Sequence, residues 1–419
     1  MPPTDVVEGV PLLVVKPHAA SLDKLVQSKS PTSTNTNNQG SVFSSYVGIL
    51  CAMLGAGIMT LPSTISAMTP AFGVGLLFVT GLLAFASLRC LCLSADVTGL
   101  YSYEHLSTRF FPPILQWMLR VLTLVPCFGA CVMYMIVAMD MLLPFVGISR
   151  PLLCAAYAVL AYPLCLLDSF HALQYSNTVV IFCIFYITGV LVHHAWGKPW
   201  PDQSTLPITS VTWAGLAYAI PIQTFSFCCH FNYMRVYGEL QHKPLVSTIT
   251  WLVIGSAFLI YGTYSVAGYI VFQGLPPHDI LTGFPISDAS VTGVRLALAM
   301  CMWCKMPLAY QPIRDVAEVV CLPYLTPLTK WPFRVPFTGA FLLMAYGVAV
   351  TAEDLSVVMD WIGATDGILV AFVVPGLFLY AATKEYQDKL PSYASMLALS
   401  MACVGLVLTT FTVYRLVFE

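Results

Sequence analysis

From Ser41 onward the chain is divided into apolar stretches of roughly 20 residues, the length at which an α-helix crosses the hydrocarbon of a bilayer. Eleven can be counted, approximately 42–66, 71–95, 113–143, 151–167, 174–195, 212–237, 247–273, 289–311, 336–353, 362–382 and 391–415. No other feature constrains the fold as strongly. In lipid every backbone N–H and C=O must be satisfied within the protein, which leaves helices or closed barrels. Runs of this length specify helices. Charged residues make up only 9% of the chain, against about 25% in ordinary soluble proteins. The net charge of −2 offers no basic footprint for nucleic acid. The expected fold class is an all-α integral membrane protein with eleven transmembrane helices.

Residues 1–40 are different. The run from Ser28 to Gly40 is polar and low in complexity. It cannot bury enough apolar surface to order itself, and no basic stretch followed by an apolar core marks a signal peptide. The segment reads as a disordered cytosolic tail, and 41–419 as the membrane domain. With the N-terminus inside, thirteen of the eighteen Lys and Arg residues fall at inner ends and loops. Four fall at outer ends (Arg150, Lys198, Arg295 and Arg415), and Lys305 lies within the membrane. Positive charge collects on the cytoplasmic side, so the N-terminus is expected inside and the C-terminus outside. The plasma membrane is the favoured location, with an endolysosomal or vacuolar membrane as the alternative. Most of the fourteen cysteines sit inside apolar segments and read as small buried hydrophobes. Cys301 and Cys304 form a CxxC within a span, where no further ligand completes a metal site.

Two of the eleven segments are irregular. The first contains Leu54-Gly55-Ala56-Gly57-Ile58-Met59-Thr60-Leu61-Pro62, and the sixth contains Tyr218-Ala219-Ile220-Pro221-Ile222-Gln223-Thr224-Phe225-Ser226-Phe227-Cys228-Cys229-His230. Glycine and proline are poor material for a helix interior. A glycine-packed helix crossing is one reading of the first stretch. The other is a broken helix at membrane depth, whose freed N–H groups can meet a carboxylate. Breaks in the first and sixth segments suggest two five-helix halves related by an inverted repeat. These would span about 41–195 and 212–382, with an extra eleventh helix at 391–415. Such folds hold substrate between the two breaks.

These stretches resemble the amino acid/auxin permease family, in particular its sodium-coupled neutral amino acid transporters, and in overall form the parasite and plant permeases. The resemblance is carried by Leu54-Gly55-Ala56-Gly57-Ile58, Thr98-Gly99-Leu100-Tyr101-Ser102-Tyr103-Glu104-His105-Leu106 and Asp168-Ser169-Phe170-His171-Ala172-Leu173-Gln174-Tyr175-Ser176. It continues in Phe225-Ser226-Phe227-Cys228-Cys229-His230 with Tyr237-Gly238-Glu239-Leu240, in Pro307-Leu308-Ala309-Tyr310-Gln311-Pro312-Ile313-Arg314, and in Trp361-Ile362-Gly363-Ala364-Thr365. It implies a LeuT-type fold and transport of free amino acids. It also carries substrate binding to Gly55, Ala56 and Gly57 in the first break, and to Phe225, Ser226, Phe227 and Cys228 in the second.

The chain departs from the resembling sodium-coupled transporters at two positions. They hold sodium with a threonine just before the equivalent of Met306-Pro307, and with an asparagine four residues before the first glycine of the first-helix motif. Here these positions are Lys305 and Cys51. A sulfur is a poor ligand for a hard cation. A lysine in mid-membrane costs roughly 2.5–3.5 kcal/mol on insertion scales, so it needs a partner. The expectation is that the ammonium takes the ion's place on first-helix carbonyls and that transport is sodium-independent. Snorkelling, or a carboxylate partner, is the other reading. A buried amine is disposed to release its proton, so proton coupling is the extension and simple exchange the alternative.

Other polar residues read as structural. Asp140 near an outer helix end and His230 at the second break are expected to be hydrogen-bonded or paired, and Asp366 stays unassigned. Glu104, Asp168, Glu239 and Arg314 are expected to pair with one another or with loop backbone near the inner face. Neutral amino acids are favoured as substrates, with arginine or lysine open. No clustered nucleophile and base suggests an enzyme. The competing function is an amino acid sensor that binds with little flux. In the tail, Glu8-Gly9-Val10-Pro11-Leu12-Leu13 looks like an acidic dileucine signal, which would make an adaptor complex a partner through Glu8, Leu12 and Leu13.

Overall fold

The computed structural model describes residues 40–167, 173–202, 210–321, 331–352 and 367–418. The dileucine residues Glu8, Leu12 and Leu13, and also Asp168 and Asp366, lie outside them. The first helix, α1 (Val42–Met53), is capped by Ser41, whose Oγ accepts the N–H of Ser44 at 3.1 Å. It stops at Leu54–Gly55. A short 3-10 helix (Ala56–Thr60) leads into α2 (Leu61–Ser66), and the two halves meet at 52°. Pro62 falls in the first turn of α2, where its missing N–H costs nothing.

The chain continues through α3 (Pro70–Thr98), α4 (Tyr103–Phe110), α5 (Pro113–Leu142), α6 (Arg150–Cys165) and α7 (Gln174–Ala195). Then come α8 (Trp213–Ser226) and α9 (His230–Glu239), separated by a second break at 227–229. The remainder is α10 (Val246–Val271), α11 (Ala289–Cys321), α12 (Trp331–Thr351), a π-helical turn (Leu369–Val373) running into α13 (Val374–Glu385), and α14 (Ala394–Phe418). Among the described residues the sole β pairing is one bridge between Gly40 and Leu240. Seven of these helices are individually long and apolar enough to cross a membrane, and eight if the bent pair α1 with α2 is one span. The other three expected segments are helical but shorter or interrupted: α6, the broken pair α8 with α9, and the turn leading into α13.

The eighth segment departs from expectation at its end. The sequence places that end near Gln311, before Pro312, yet α11 runs on to Cys321 with Pro307 and Pro312 inside it. Prolines are tolerated in such helices when other groups satisfy the freed carbonyls. The carbonyl that Pro307 leaves without its helical donor is that of Trp303; the carbonyls on either side of it bond to neighbouring helices, Met302 accepting the Tyr157 hydroxyl at 2.8 Å and Cys304 the Ser176 hydroxyl at 3.2 Å. α11 is the most enclosed of the long helices, with 67% of its apolar window buried, against 28% for α7 and for α14. It forms the centre against which α5, α6 and α7 pack, and its Tyr310 reaches Thr338 and Phe341 of α12.

Polar contacts tie the bundle at both ends. At the end where α1 begins, Arg120 pairs with the buried Glu104 at 2.6 Å, and Arg235 with Asp315 at 2.8 Å. Glu104 therefore pairs with Arg120 of the neighbouring helix. Arg314 does bind loop backbone, the carbonyl of Leu167, at 3.1 Å. The Glu239 carbonyl accepts the N–H of Gly40 at 2.8 Å. At the far end Asp140 lies 3.7 Å from Arg150.

Candidate functional site

The two breaks lie side by side. Tyr261, fully buried on α10, places its hydroxyl 2.8 Å from the Met53 carbonyl and 2.8 Å from the Ser226 carbonyl. Met53 ends α1 and Ser226 ends α8. Both helices stop there, so both carbonyls lack an intrahelical partner. One phenol proton, shared between them, fastens the two breaks together. The ring of Phe227 meets Tyr261 edge-on at 5.4 Å.

The crossing leaves little room for a side chain at either glycine. A Cβ on Gly57 would stand 3.2 Å from the Ser226 Oγ, and one on Gly55 would stand 3.0 Å from the Lys305 Nζ. The structure thus brings Gly55, Gly57, Ser226 and Lys305 to one place. Ala56 opens the 3-10 helix and contributes backbone there. Phe225 turns the other way: its ring is exposed and lies against Gly367, where an added Cβ would meet it at 3.2 Å. Cys228 sits in the second break with its side chain half-buried, and Phe227 is fully buried.

Among the described residues Lys305 is the one buried lysine. It is 2% exposed. Its Nζ donates to the Cys51 carbonyl at 2.9 Å and also to the Leu54 carbonyl. These are last-turn carbonyls of α1, left open because the chain leaves α-helical geometry at Leu54. The negative end of the helix dipole lies at the same spot and favours a cation. Cys51 takes part through its backbone; its thiol is fully buried.

Around this centre, polar side chains bridge elements. Gln223 Nε2 on α8 donates to Thr64 Oγ1 at 3.1 Å and to the Gly73 carbonyl at 3.2 Å. His230 Nε2 meets Ser87 Oγ at 3.1 Å, so this histidine is hydrogen-bonded in the interior. Asp140 is half-exposed, at the Arg150 ion pair, away from the breaks. The sequence reading overlooked Tyr261 and Gln223. A signal was available for the tyrosine: Tyr261 and Tyr264 stand in the middle of a spanning segment, and a buried phenol must find a partner. Among the described residues no group of three His, Cys, Asp or Glu side chains could hold a metal ion.

The chain is 22% identical over 367 residues to vacuolar amino acid transporter 5 of Schizosaccharomyces pombe, covering 84% of this chain and 87% of that one. It is 23% identical over 405 residues to sodium-coupled neutral amino acid transporter 7 of Xenopus laevis, covering 88% and 86%. Two solved structures share the fold. One is a Na+-coupled sialic acid symporter in a substrate-bound outward-open state, with TM-score 0.54, 13% identity and coverage of 89% and 90%. The other is a mutant Eremococcus coleocola manganese transporter, with TM-score 0.59, 12% identity and coverage of 88% and 85%. At such identities the likeness shows the fold alone, and that fold is LeuT-type. The family described as transmembrane amino acid transporter protein matches residues 38–418. Nearly the whole of this chain, both breaks included, therefore belongs to the transmembrane amino acid transporter family, the amino acid/auxin permeases.

Proposed function

We propose that this protein is a secondary active amino acid transporter that works by alternating access without sodium. Its N-terminus faces the cytosol, so the end at which α1 begins is the inner end and the far end is the outer one. The substrate carboxylate meets the free N–H groups of the first break around Gly55, Ala56 and Gly57, and the ammonium meets carbonyls of the second break around Phe225, Ser226, Phe227 and Cys228. The substrate side chain is read as neutral: of the two carboxylates a cationic substrate could meet, Asp140 and Asp366, Asp140 lies 3.7 Å from Arg150 at the bundle end, and Asp366 lies outside the described residues.

One observation carries the sodium-free reading, the Lys305 ammonium on the Cys51 and Leu54 carbonyls. A sodium ion bound there would use those same oxygens and would join the first helix to α11 in the same way. A tethered cation does so permanently. If the amine gives up its proton during the cycle, the two bundles part and transport is proton-coupled; if it keeps it, the protein exchanges substrates.

The experiment is uptake of labelled neutral amino acids by the purified protein in liposomes, with sodium or choline outside, at two external pH values. Equal uptake in both salts is expected. A strict sodium requirement sinks the proposal. Dependence on pH separates proton coupling from exchange, and binding without accumulation identifies a sensor.

A further inference from the structure

On the outside of the bundle α3 and α10 carry matched stripes of side chains. Arg89 on α3 and Ser247 in the first turn of α10 form one rung, in which Arg89 Nη1 donates to Ser247 Oγ at 3.1 Å. Phe85 and Trp251, one turn along each helix, form the next, with their rings stacked 4.0 Å apart. Phe78 and Phe258 form a third, edge-on at 5.5 Å. Trp251 is 49% exposed and Phe78 50%, while Arg89 is half-buried. At 1.5 Å per residue the second rung lies about 6 Å and the third about 16 Å deeper than the first. The polar rung is at the bundle end where α1 begins. There Asp96, seven residues beyond Arg89, accepts the hydroxyl of Tyr237, two residues before the Glu239 carbonyl that holds Gly40.

Counting protons shows what the polar rung can bind. A guanidinium has five N–H donors and no acceptor. The Ser247 hydroxyl therefore accepts from Arg89, and so does the hydroxyl of Tyr393 in the connection before α14. Each hydroxyl keeps its own proton to give. Three side chains from three elements thus present donors to one place. Arg109, Arg120, Arg150 and Arg235 stand against carboxylates at the ends of the bundle. Among the described residues no carboxylate lies within ion-pair distance of Arg89, and Asp96 is engaged by Tyr237. A charged side chain beside hydrocarbon calls for an anionic partner.

We propose that Arg89, Ser247 and Tyr393 bind the phosphate of an anionic phospholipid, whose acyl chain lies along the Phe85–Trp251 and Phe78–Phe258 rungs. The guanidinium meets two phosphate oxygens as a fork, and the two hydroxyls donate to the same group. The ladder of about 16 Å from polar rung to last aromatic rung matches one leaflet of a hydrocarbon core about 30 Å thick. An apolar ladder leading away from the donors selects a lipid over a free phosphate. The choice of leaflet alone rests on the orientation proposed above, which makes it the cytosolic one, where anionic lipids concentrate.

The test reads quenching of Trp251 fluorescence by lipids brominated on the acyl chain, with the purified full-length protein in liposomes of phosphatidylglycerol and phosphatidylcholine. The protein has eight tryptophans, so the Trp251 signal is the difference between the unmodified protein and Trp251→Phe. Brominating first one lipid and then the other gives the preference at that position. Phosphatidylglycerol is expected to be preferred about fivefold, the selectivity of one arginine beside an anionic headgroup. Arg89→Gln should abolish the preference. Ser247→Ala/Tyr393→Phe keeps the charge and removes both donated protons, and should give an intermediate preference. This double variant also decides the point if Arg89→Gln does not insert. Equal quenching by the two lipids in the unmodified protein means annular lipid only and overturns the site. A preference that survives Arg89→Gln, or that is unchanged in the double variant, overturns it too. The measurement needs no uptake, so a protein that never accumulates substrate can still show the lipid site, and loss of the lipid site leaves the transport reading standing.

Discussion

Gly57 carries more of the site than its size suggests. Its neighbour across the crossing is the Ser226 hydroxyl, and the gap for an added Cβ is 3.2 Å. That hydroxyl is held by the Ile222 carbonyl at 2.8 Å, so it has little freedom to retreat. Gly57→Val adds a branched side chain at the point where backbone and substrate are to meet. The expected outcome is uptake reduced by at least about tenfold, the effect of some 1.4 kcal/mol of lost binding, with normal membrane insertion. Liposome uptake, read beside a monodisperse elution profile, checks it; transport at the ordinary rate would place substrate binding elsewhere. Lys305 is the counterpart. Its burial would be costly in lipid, and two carbonyls that the break has left open meet that cost.

At the scale of elements, helix ends do the joining. α1 and α8 end side by side and share the Tyr261 proton, while α11 passes behind them and supplies Lys305. The start of α11 shows how a terminus is secured. Asp288 Oδ1 accepts from the N–H groups of Ser290 at 2.9 Å and Val291 at 3.3 Å, and from the Ser290 hydroxyl at 2.6 Å. Its other oxygen lies 3.6 Å from His194 at the end of α7. The Ser290 hydroxyl first, and then those N–H groups and His194, hold the Asp288 carboxyl below its ordinary value of 3.8. A depressed carboxyl stabilises the folded form above the unfolded value, and that contribution is lost as pH falls through the folded one. Asp288→Asn retains an accepting oxygen but not the charge. The unmodified protein should lose thermal stability below about pH 4 more steeply than Asp288→Asn. Parallel melting temperatures for the two proteins across that range would show that the charge contributes nothing.

The whole molecule is a membrane domain, whose fold is shared with known transporters, preceded by residues 1–39, where the sequence offers a sorting signal as an expectation. The expected signal Glu8-Gly9-Val10-Pro11-Leu12-Leu13 would direct the protein to an internal membrane through an adaptor complex. Replacing Leu12 and Leu13 with alanine should move a fluorescently tagged protein from internal membranes to the cell surface, without altering uptake by the purified protein. An unchanged distribution under the microscope removes the signal.

The sequence by itself determined what lipid demands. Apolar runs of bilayer length had to become helices, because unpaired backbone cannot remain in hydrocarbon. Nine of the eleven expected segments lie close to the observed helices, the eighth ends ten residues short of its helix, and the tenth is described only from residue 367 onward. The breaks were legible for a similar reason: Gly55, Gly57 and Pro62 are costly inside a helix, and an anomaly in one span is visible without its neighbours. Partners were not legible. Lys305 stands 254 residues from Cys51 and 251 from Leu54, and local pattern carries nothing over such distances. The same holds for Tyr261, which reads as one more aromatic residue in an apolar run until two helix ends leave carbonyls within its reach. Only tertiary structure decided these pairings, because a buried hydrogen bond depends on where two segments stop relative to each other. The end of α11 was misjudged on the same ground: Pro312 is a stop signal locally, and the packed bundle carries the helix through it to Cys321.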